Sequence, residues 1–319
     1  MSDTDIILVA HGGGEGAEPW VQALAERLPQ FRVQSLQGPF DPARVRYAVA
    51  WKHPPGSLVG LDNLQAIFSL GAGVDHLVSD PDLPDVPIIR VVDPDLTSRM
   101  SEWVLLHVLA HHRQARLYDW HQAEKLWEDD PHQPAAHEVR VGVMGLGVLG
   151  SDAARKLDMI GFDVAGWSRT PKVLDTIDTY AGAAELDAFL ARTEILVVLL
   201  PLTPDTRGIL NHALFANLAR HSYFGGPILL NAGRGGLQDE AGILEALEDG
   251  TLRAATLDVF ETEPLPQDSP LWHHPAVTVT PHNAAISSTD AVAAFIAGEI
   301  EHLEAGGAPR HGVDRGRAY

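Results

Sequence analysis

Short apolar runs separated by amphipathic stretches fill the first hundred residues. Residues 6–10 (Ile-Ile-Leu-Val-Ala) read as a strand buried on both faces, and residues 20–28 space their apolar side chains for one face of a helix. Further strands are expected at 47–51, 66–70 and 88–92. A long apolar helix is expected from about residue 97 to 118, with Thr97 or Ser98 as its N-cap. Residues 128–137 are polar and twice interrupted by proline, which predicts a linker loop.

A second pattern of the same kind begins at Val139. It predicts strands at 139–144, 163–167, 195–200, 228–231, 254–258 and 277–280, mostly with helical segments between, and a final helix over 287–305. Strands alternating with helices imply crossover connections and parallel pairing. The expectation is an α/β chain of two doubly wound domains with parallel sheets, holding its ligand in an interdomain cleft. No solenoid repeat or low-complexity segment interrupts the pattern.

Composition narrows the chemistry. A chain of 319 residues, 45% hydrophobic and 21% charged, has room for two well-buried cores. No apolar run approaches the roughly 18 residues of a membrane span, and the start, Met1-Ser2-Asp3, lacks the basic residues of a signal peptide. No membrane partner and a cytoplasmic location are therefore expected. The absence of cysteine excludes disulfides, thiolate metal sites and a cysteine nucleophile. A net charge of −20 argues against a nucleic-acid partner. Any anionic ligand must then be held by local cations, and only four lysines occur: Lys52, Lys125, Lys156 and Lys172.

Gly145-Leu146-Gly147-Val148-Leu149-Gly150 follows an apolar strand and opens a helix. In that setting G-x-G-x-x-G is a dinucleotide motif. Gly145 makes a tight turn, Gly147 admits a pyrophosphate to the backbone of Val148 and Leu149, and Gly150 lets helix and strand pack closely. About 20 residues on, where an NAD-selective site places a carboxylate, the chain has Ser168-Arg169, with Lys172 close behind. A hydroxyl and cations suit a 2′-phosphate, so NADP is expected, with NADPH preferred over NADH.

Three further motifs end predicted strands: residues 231–236 (Asn-Ala-Gly-Arg-Gly-Gly), residues 258–264 (Asp-Val-Phe-Glu-Thr-Glu-Pro) and residues 281–285 (Pro-His-Asn-Ala-Ala). They bring one cation, one carboxylate and one imidazole to the end of a sheet where ligands bind. With residues 69–75 (Ser-Leu-Gly-Ala-Gly-Val-Asp) and 201–206 (Pro-Leu-Thr-Pro-Asp-Thr), their order resembles the D-isomer-specific 2-hydroxyacid dehydrogenases over most of the chain. Residues 100–105, Trp51 and the Ser168-Arg169 loop resemble the glyoxylate/hydroxypyruvate reductase branch of that family.

The resemblance implies two Rossmann-like domains: residues 1–95 with 286–319 binding substrate, and 96–285 binding cofactor. Closure about the two chain crossings would exclude water. It implies that Arg234 holds the carboxylate and polarises the keto oxygen of a small 2-keto acid. His282 is then the proton donor, and Glu263 orients the imidazole and favours its charged form. Trp51 would wall the substrate pocket, and backbone N–H groups at Ala72 and Gly73 would receive the carboxylate. Leu200 and Pro201, in the loop that ends at Thr206, would line the adenosine side, while Ala232 and Asp258 would face the nicotinamide amide. A homodimer is implied, with the apolar helix after residue 97 at its interface. His107, His111 and His112 on that helix lack a supporting acid, so no metal is expected. Two other readings stay open: an NAD-linked dehydrogenase of D-lactate or D-glycerate type, and a nucleotide-sensing protein without catalysis.

Overall fold

Two all-parallel sheets organise the chain, one of five strands and one of seven. The computed structural model describes residues 4–12 and 16–315. It divides into two units, Met1–Leu96 with Ser287–Tyr319, and Thr97–Ile286. Both are doubly wound α/β arrangements, as the alternation of patterns predicts.

The first unit holds β1 (Ile6–His11), β2 (Arg32–Ser35), β3 (Val45–Trp51), β4 (Ala66–Ser69) and β5 (Ile88–Ile89), in the order β2-β1-β3-β4-β5. The order reverses between β1 and β3, whose last residues, His11 and Trp51, pair in register. Ligands of open α/β sheets bind at such a switch point. One face is covered by α1 (Glu18–Arg27) and by α9 (Thr289–Glu304), whose Val292, Ile296 and Ile300 bury against Ile7, Val9 and Leu24. That apolar burial is what returns the last helix to the first unit. On the other face α2 (Asp75–Val78) packs Leu77 against Leu8, Ala48 and Ile67.

The second unit holds β6 (Arg140–Met144), β7 (Asp163–Ser168), β8 (Asp178–Ala181), β9 (Ile195–Val198), β10 (Ile228–Asn231), β11 (Ala254–Leu257) and β12 (Val277–Val279), in the order β12-β11-β10-β9-β6-β7-β8. Here the switch point lies between β6 and β9. The helices are α3 (Pro94–His112), which starts in the last residues of the first unit, α4 (Ala115–Glu124), α5 (Val148–Ile160), α6 (Leu186–Arg192), α7 (His212–Phe215) and α8 (Glu240–Glu248). Each face has its own core, one around Phe189, Leu196, Phe215 and Ile243, the other around Val104, Val141, Ala153 and Ile195.

Three local expectations change. The strands β2 and β8 carry no apolar run; they are edge strands, half-exposed, so little burial marks them in the sequence. The long helix breaks into α3 and α4 at Gln114, which adopts the left-handed conformation (φ 53°, ψ 37°). It also starts earlier than Thr97 or Ser98. The Asp93 carboxylate accepts the N–H groups of Asp95 and Leu96, both at 3.2 Å, with Pro94 as the first helical residue. Asp-Pro is the stronger start, since aspartate satisfies free amides and proline has φ preset for the first turn.

Candidate active site

The glycine motif turns from β6 into α5. Gly145 has φ +113°, and a Cβ there would stand 2.7 Å from the Leu199 carbonyl oxygen. A Cβ on Gly150 would lie 1.8 Å from the Gly145 oxygen, so both positions are fixed by the chain's own packing. Gly147 differs: a Cβ there would meet nothing within 4 Å. It is the N-cap of α5, and no side chain caps that helix. The first-turn amides, including those of Val148 and Leu149, are thus left for an anion, which is the fit a pyrophosphate requires.

At the end of β7, Ser168 is buried and its hydroxyl donates to the Thr170 carbonyl at 2.8 Å. Arg169 and Lys172 are exposed on the loop that follows, and the Lys172 carbonyl is tied to Thr179 Oγ1 at 2.7 Å. After β9, Leu200 is buried and Pro201 half-buried. Thr206 closes their loop, its hydroxyl donating to the Pro201 carbonyl and accepting from Thr203 N–H, each at 2.8 Å.

The loops after β10, β11 and β12 are clasped together. Asn231 holds the first, accepting Gly233 N–H at 3.0 Å and donating to the Arg234 carbonyl at 3.2 Å, which sets Arg234 at the lip of the strand. A Cβ on Gly235 would overlap the Phe260 backbone at 1.9 Å, so the first and second loops touch through glycine. Gln238 Nε2 adds a bond to the Val259 carbonyl at 2.9 Å. In the second loop Glu263 Oε1 accepts Phe260 N–H at 3.2 Å, and Oε2 accepts from His282 Nδ1 at 2.8 Å. His282 and Glu263 are therefore one hydrogen-bonded pair, partly open to solvent, with the far ring nitrogen Nε2 not used by Glu263.

His282 itself has φ +52°, an unusual backbone for a side-chain-bearing residue. Asp258 holds it there. Its carbonyl accepts His282 N–H at 2.8 Å, and its buried carboxylate accepts Asn283 N–H at 2.9 Å, Ala284 N–H at 3.0 Å and the Thr280 hydroxyl at 2.6 Å. Trp103 Nε1 on α3 donates in turn to Thr280 Oγ1 at 3.2 Å. The family resemblance names Asp258 and Ala232, both buried, as facing the nicotinamide amide; sequence reading misses the brace from Thr280 and Trp103, because nothing in their spacing marks them as partners.

The first unit places Trp51 against the Gly71 turn, where a Cβ would come within 2.6 Å of the indole. Ser69 Oγ fixes that turn, donating to the Gly73 carbonyl at 2.9 Å and accepting Gly71 N–H at 3.3 Å; Ala72 and Gly73 form its half-exposed tip. Behind Trp51 a buried pair, His53 Nε2 and Asp80 Oδ2 at 3.0 Å, anchors the next loop. Burial alone would raise the Asp80 pKa. The N–H groups of Gly56 and Asp82 and the His53 ring outweigh it and hold the carboxylate below its ordinary value.

On α3, the His107 ring lies tilted against Trp103 at 4.5 Å between ring centroids, and His111 Nε2 lies 2.9 Å from Thr256 Oγ1. Burial, with repulsion from His107 and Arg116, pushes the His111 pKa down to about 4. Among the described residues, no group of three or more His, Cys, Asp or Glu side chains is arranged to hold a metal ion.

Residues 105–284 match the family model described as D-isomer specific 2-hydroxyacid dehydrogenase, NAD binding domain. The chain belongs to that family. It is thus a nicotinamide-dependent oxidoreductase, and its 2-hydroxyacid dehydrogenase relatives include glyoxylate/hydroxypyruvate reductase A of Serratia proteamaculans (strain 568), 43% identical over 305 residues, covering 93% of this chain and 95% of that one. Among solved structures, the NADPH-dependent glyoxylate/hydroxypyruvate reductase of Sinorhizobium meliloti in complex with NADP and sulfate is 47% identical, with a TM-score of 0.91 over 99% of this chain and 100% of that one. A probable 2-hydroxyacid dehydrogenase of Rhizobium etli CFN 42, in complex with NADP, HEPES and L(+)-tartaric acid, is 42% identical, with a TM-score of 0.93 over 99% of each chain.

Proposed function

We propose that this 2-hydroxyacid dehydrogenase is an NADPH-dependent reductase of small 2-keto acids such as glyoxylate and hydroxypyruvate. The observation that carries the reading is the 2.8 Å bond from His282 Nδ1 to Glu263, which orients the imidazole with Nε2 as its outward donor. The names of the Serratia and Sinorhizobium relatives support the substrate class, and the NADP in the Sinorhizobium and Rhizobium structures supports the cofactor.

When bound, the reduced nicotinamide supplies the hydride. His282 Nε2 gives a proton to the keto oxygen, and Glu263 holds the ring's orientation through Nδ1. Arg234 holds the substrate carboxylate and draws charge toward the keto oxygen, with two parallel donors that lysine lacks. Trp51, Ala72 and Gly73 contact the substrate. The amides of Val148 and Leu149 receive the pyrophosphate across Gly147, in a turn that Gly145 and Gly150 shape, and Ser168, Arg169 and Lys172 receive the 2′-phosphate. Leu200, Pro201 and Thr206 form the adenosine side, and Ala232 and Asp258 the nicotinamide side. Residues 96–285 act as the cofactor-binding domain and the rest of the chain as the substrate-binding domain.

The protein works in the cytoplasm as a homodimer. Leu106 on α3, Trp120 on α4 and Trp127 just beyond it are exposed, an apolar surface that a second copy would cover. No helix of the described residues is long and apolar enough to cross a membrane. The test is loss of nicotinamide absorbance with NADPH or NADH and with glyoxylate, hydroxypyruvate, pyruvate and phenylpyruvate in turn. Fast NADPH-dependent turnover of the first two supports the reading. Turnover chiefly with NADH, or with the bulky acid, overturns the cofactor or substrate assignment, and NADPH binding without turnover of any acid overturns catalysis.

A further inference from the structure

Between Trp51 and Gly56 the chain runs Lys52-His53-Pro54-Pro55, and both ends of that run are fixed. At its start Gly12 N–H donates to the Trp51 carbonyl at 2.9 Å, and a Cβ on Gly12 would overlap the Lys52 carbonyl oxygen at 1.6 Å. Lys52 turns the chain there with φ +44°. Two prolines with preset φ then leave little slack before Gly56.

The far end is held by Asp80, just past α2. Only 2% of its side chain is exposed, and none of the His53 side chain, so the proposed chemistry uses neither group. Asp80 Oδ2 accepts from His53 Nε2 and from Gly56 N–H, each at 3.0 Å, and Oδ1 accepts Asp82 N–H at 3.0 Å. Gly56 and Asp82 lie in turns outside every helix and strand, so this carboxylate is the acceptor their amides have among the described residues. A buried pair of this kind adds little net stability, because desolvation offsets the attraction; its use lies in fixing one arrangement of the chain.

Helix α2 joins the same anchor to the indole. His76 on that helix sets its ring against Trp51 at 4.7 Å between centroids, and the Gly71 turn that leads into α2 has no room for a Cβ beside the indole. Trp51 and Asp80 are thus linked twice, along the loop through His53 and across through α2.

We infer that His53 and Asp80 are positioning residues, whose pair fixes the loop after Trp51 and so holds the indole as a wall that limits the 2-keto acid to a small side chain. The inference rests on the reductase reading, in which Trp51 contacts the substrate. A wall limits size only while its support is locked: a tethered indole rejects a bulky acid, and an untethered one turns aside.

The ratio of kcat/KM for phenylpyruvate to that for glyoxylate, measured with NADPH, reads the wall. Loss of folded protein lowers both activities alike and leaves this ratio where it was. Trp51→Ala removes the wall and raises the ratio on the order of 10- to 100-fold, the range that pocket volume commands. His53→Ala takes a donor from Asp80 and raises it by roughly 10-fold, and Asp80→Asn, which keeps one of two acceptor oxygens, does the same. His53→Gln, whose amide offers an N–H in the place of Nε2, keeps the wild-type ratio. In the wild-type chain, hydrogen exchange finds the Gly56 and Asp82 amides protected.

A ratio unmoved in His53→Ala or Asp80→Asn while Trp51→Ala raises it overturns the inference. So does fast exchange at Gly56 and Asp82, a measurement that needs no variant to fold. A ratio unmoved even in Trp51→Ala removes the wall, and the inference with it, and leaves the reductase reading standing. If wild type reduces no 2-keto acid, the reductase reading itself falls, and the exchange of the two amides still reads whether the pair pins the loop.

Discussion

The Thr280 hydroxyl donates to Asp258 Oδ1 at 2.6 Å, and that bond braces the segment that carries His282. The same carboxylate holds the N–H groups of Asn283 and Ala284, so the left-handed backbone of His282 is gripped from both sides. Thr280→Val removes the brace and leaves both Asp258 and Trp103 Nε1 one partner short, at a cost of about 1–3 kcal/mol. The expected outcome is a kcat lower by roughly 10-fold, with little change in KM for NADPH. Thr280→Ser, which keeps the hydroxyl, returns kcat to near wild type. Steady-state kinetics of the two variants check this.

The His282–Glu263 pair predicts a graded series. His282→Asn removes the proton donor of the proposed mechanism, and the expected outcome is a kcat lower by about 10²–10⁴-fold. Glu263→Gln keeps a polar partner for Nδ1 without the charge, so its loss is smaller. A His282→Asn variant that turns over near the wild-type rate would remove the mechanism.

Two glycines of one motif should respond oppositely. Gly150→Ala forces a Cβ into the Gly145 carbonyl, so the protein loses folded yield and melts well below wild type. Gly147→Ala meets no protein atom and keeps the wild-type Tm, but it weakens NADPH binding. Calorimetry and a fluorescence titration with NADPH separate the two effects.

Cofactor choice should rest on the loop after β7. Arg169→Ala raises KM for NADPH on the order of 10-fold and leaves KM for NADH nearly unchanged, since a single charged hydrogen bond is worth about 1.5–3 kcal/mol. Equal losses for both cofactors would transfer the selectivity elsewhere.

Acid should act through α3. His111 has a folded pKa pushed from 6.5 to about 4. Above pH 6.5 it is neutral in both states and contributes no slope. Between those values the unfolded chain takes up a proton that the folded protein refuses, so stability falls as pH falls, by up to about 1.4 kcal/mol per pH unit. Burial lowers the pKa of His107 and of His112 as well, adding to the same trend. Urea unfolding at pH 7 and pH 5 should show a smaller loss for His111→Gln than for wild type.

Residue order along the chain determined a good deal of this protein by itself. The apolar runs of β1, β6, β9 and β10 announce parallel strands because they are buried on both faces, and the motif from Gly145 to Gly150 announces its turn because two of its glycines are sterically obligatory. The three loops with Arg234, Glu263 and His282 were legible as motifs because local sequence builds each of them. The edge strands β2 and β8 were not, since half-exposed strands need no apolar run. Only the tertiary structure decided that Trp103 reaches Thr280 across 177 positions and that Phe68 pairs with Ile89. A hydrogen bond or a strand pairing between distant segments depends on sheet register and helix packing, and those are set by the sum of many burials that leave no local mark on either residue.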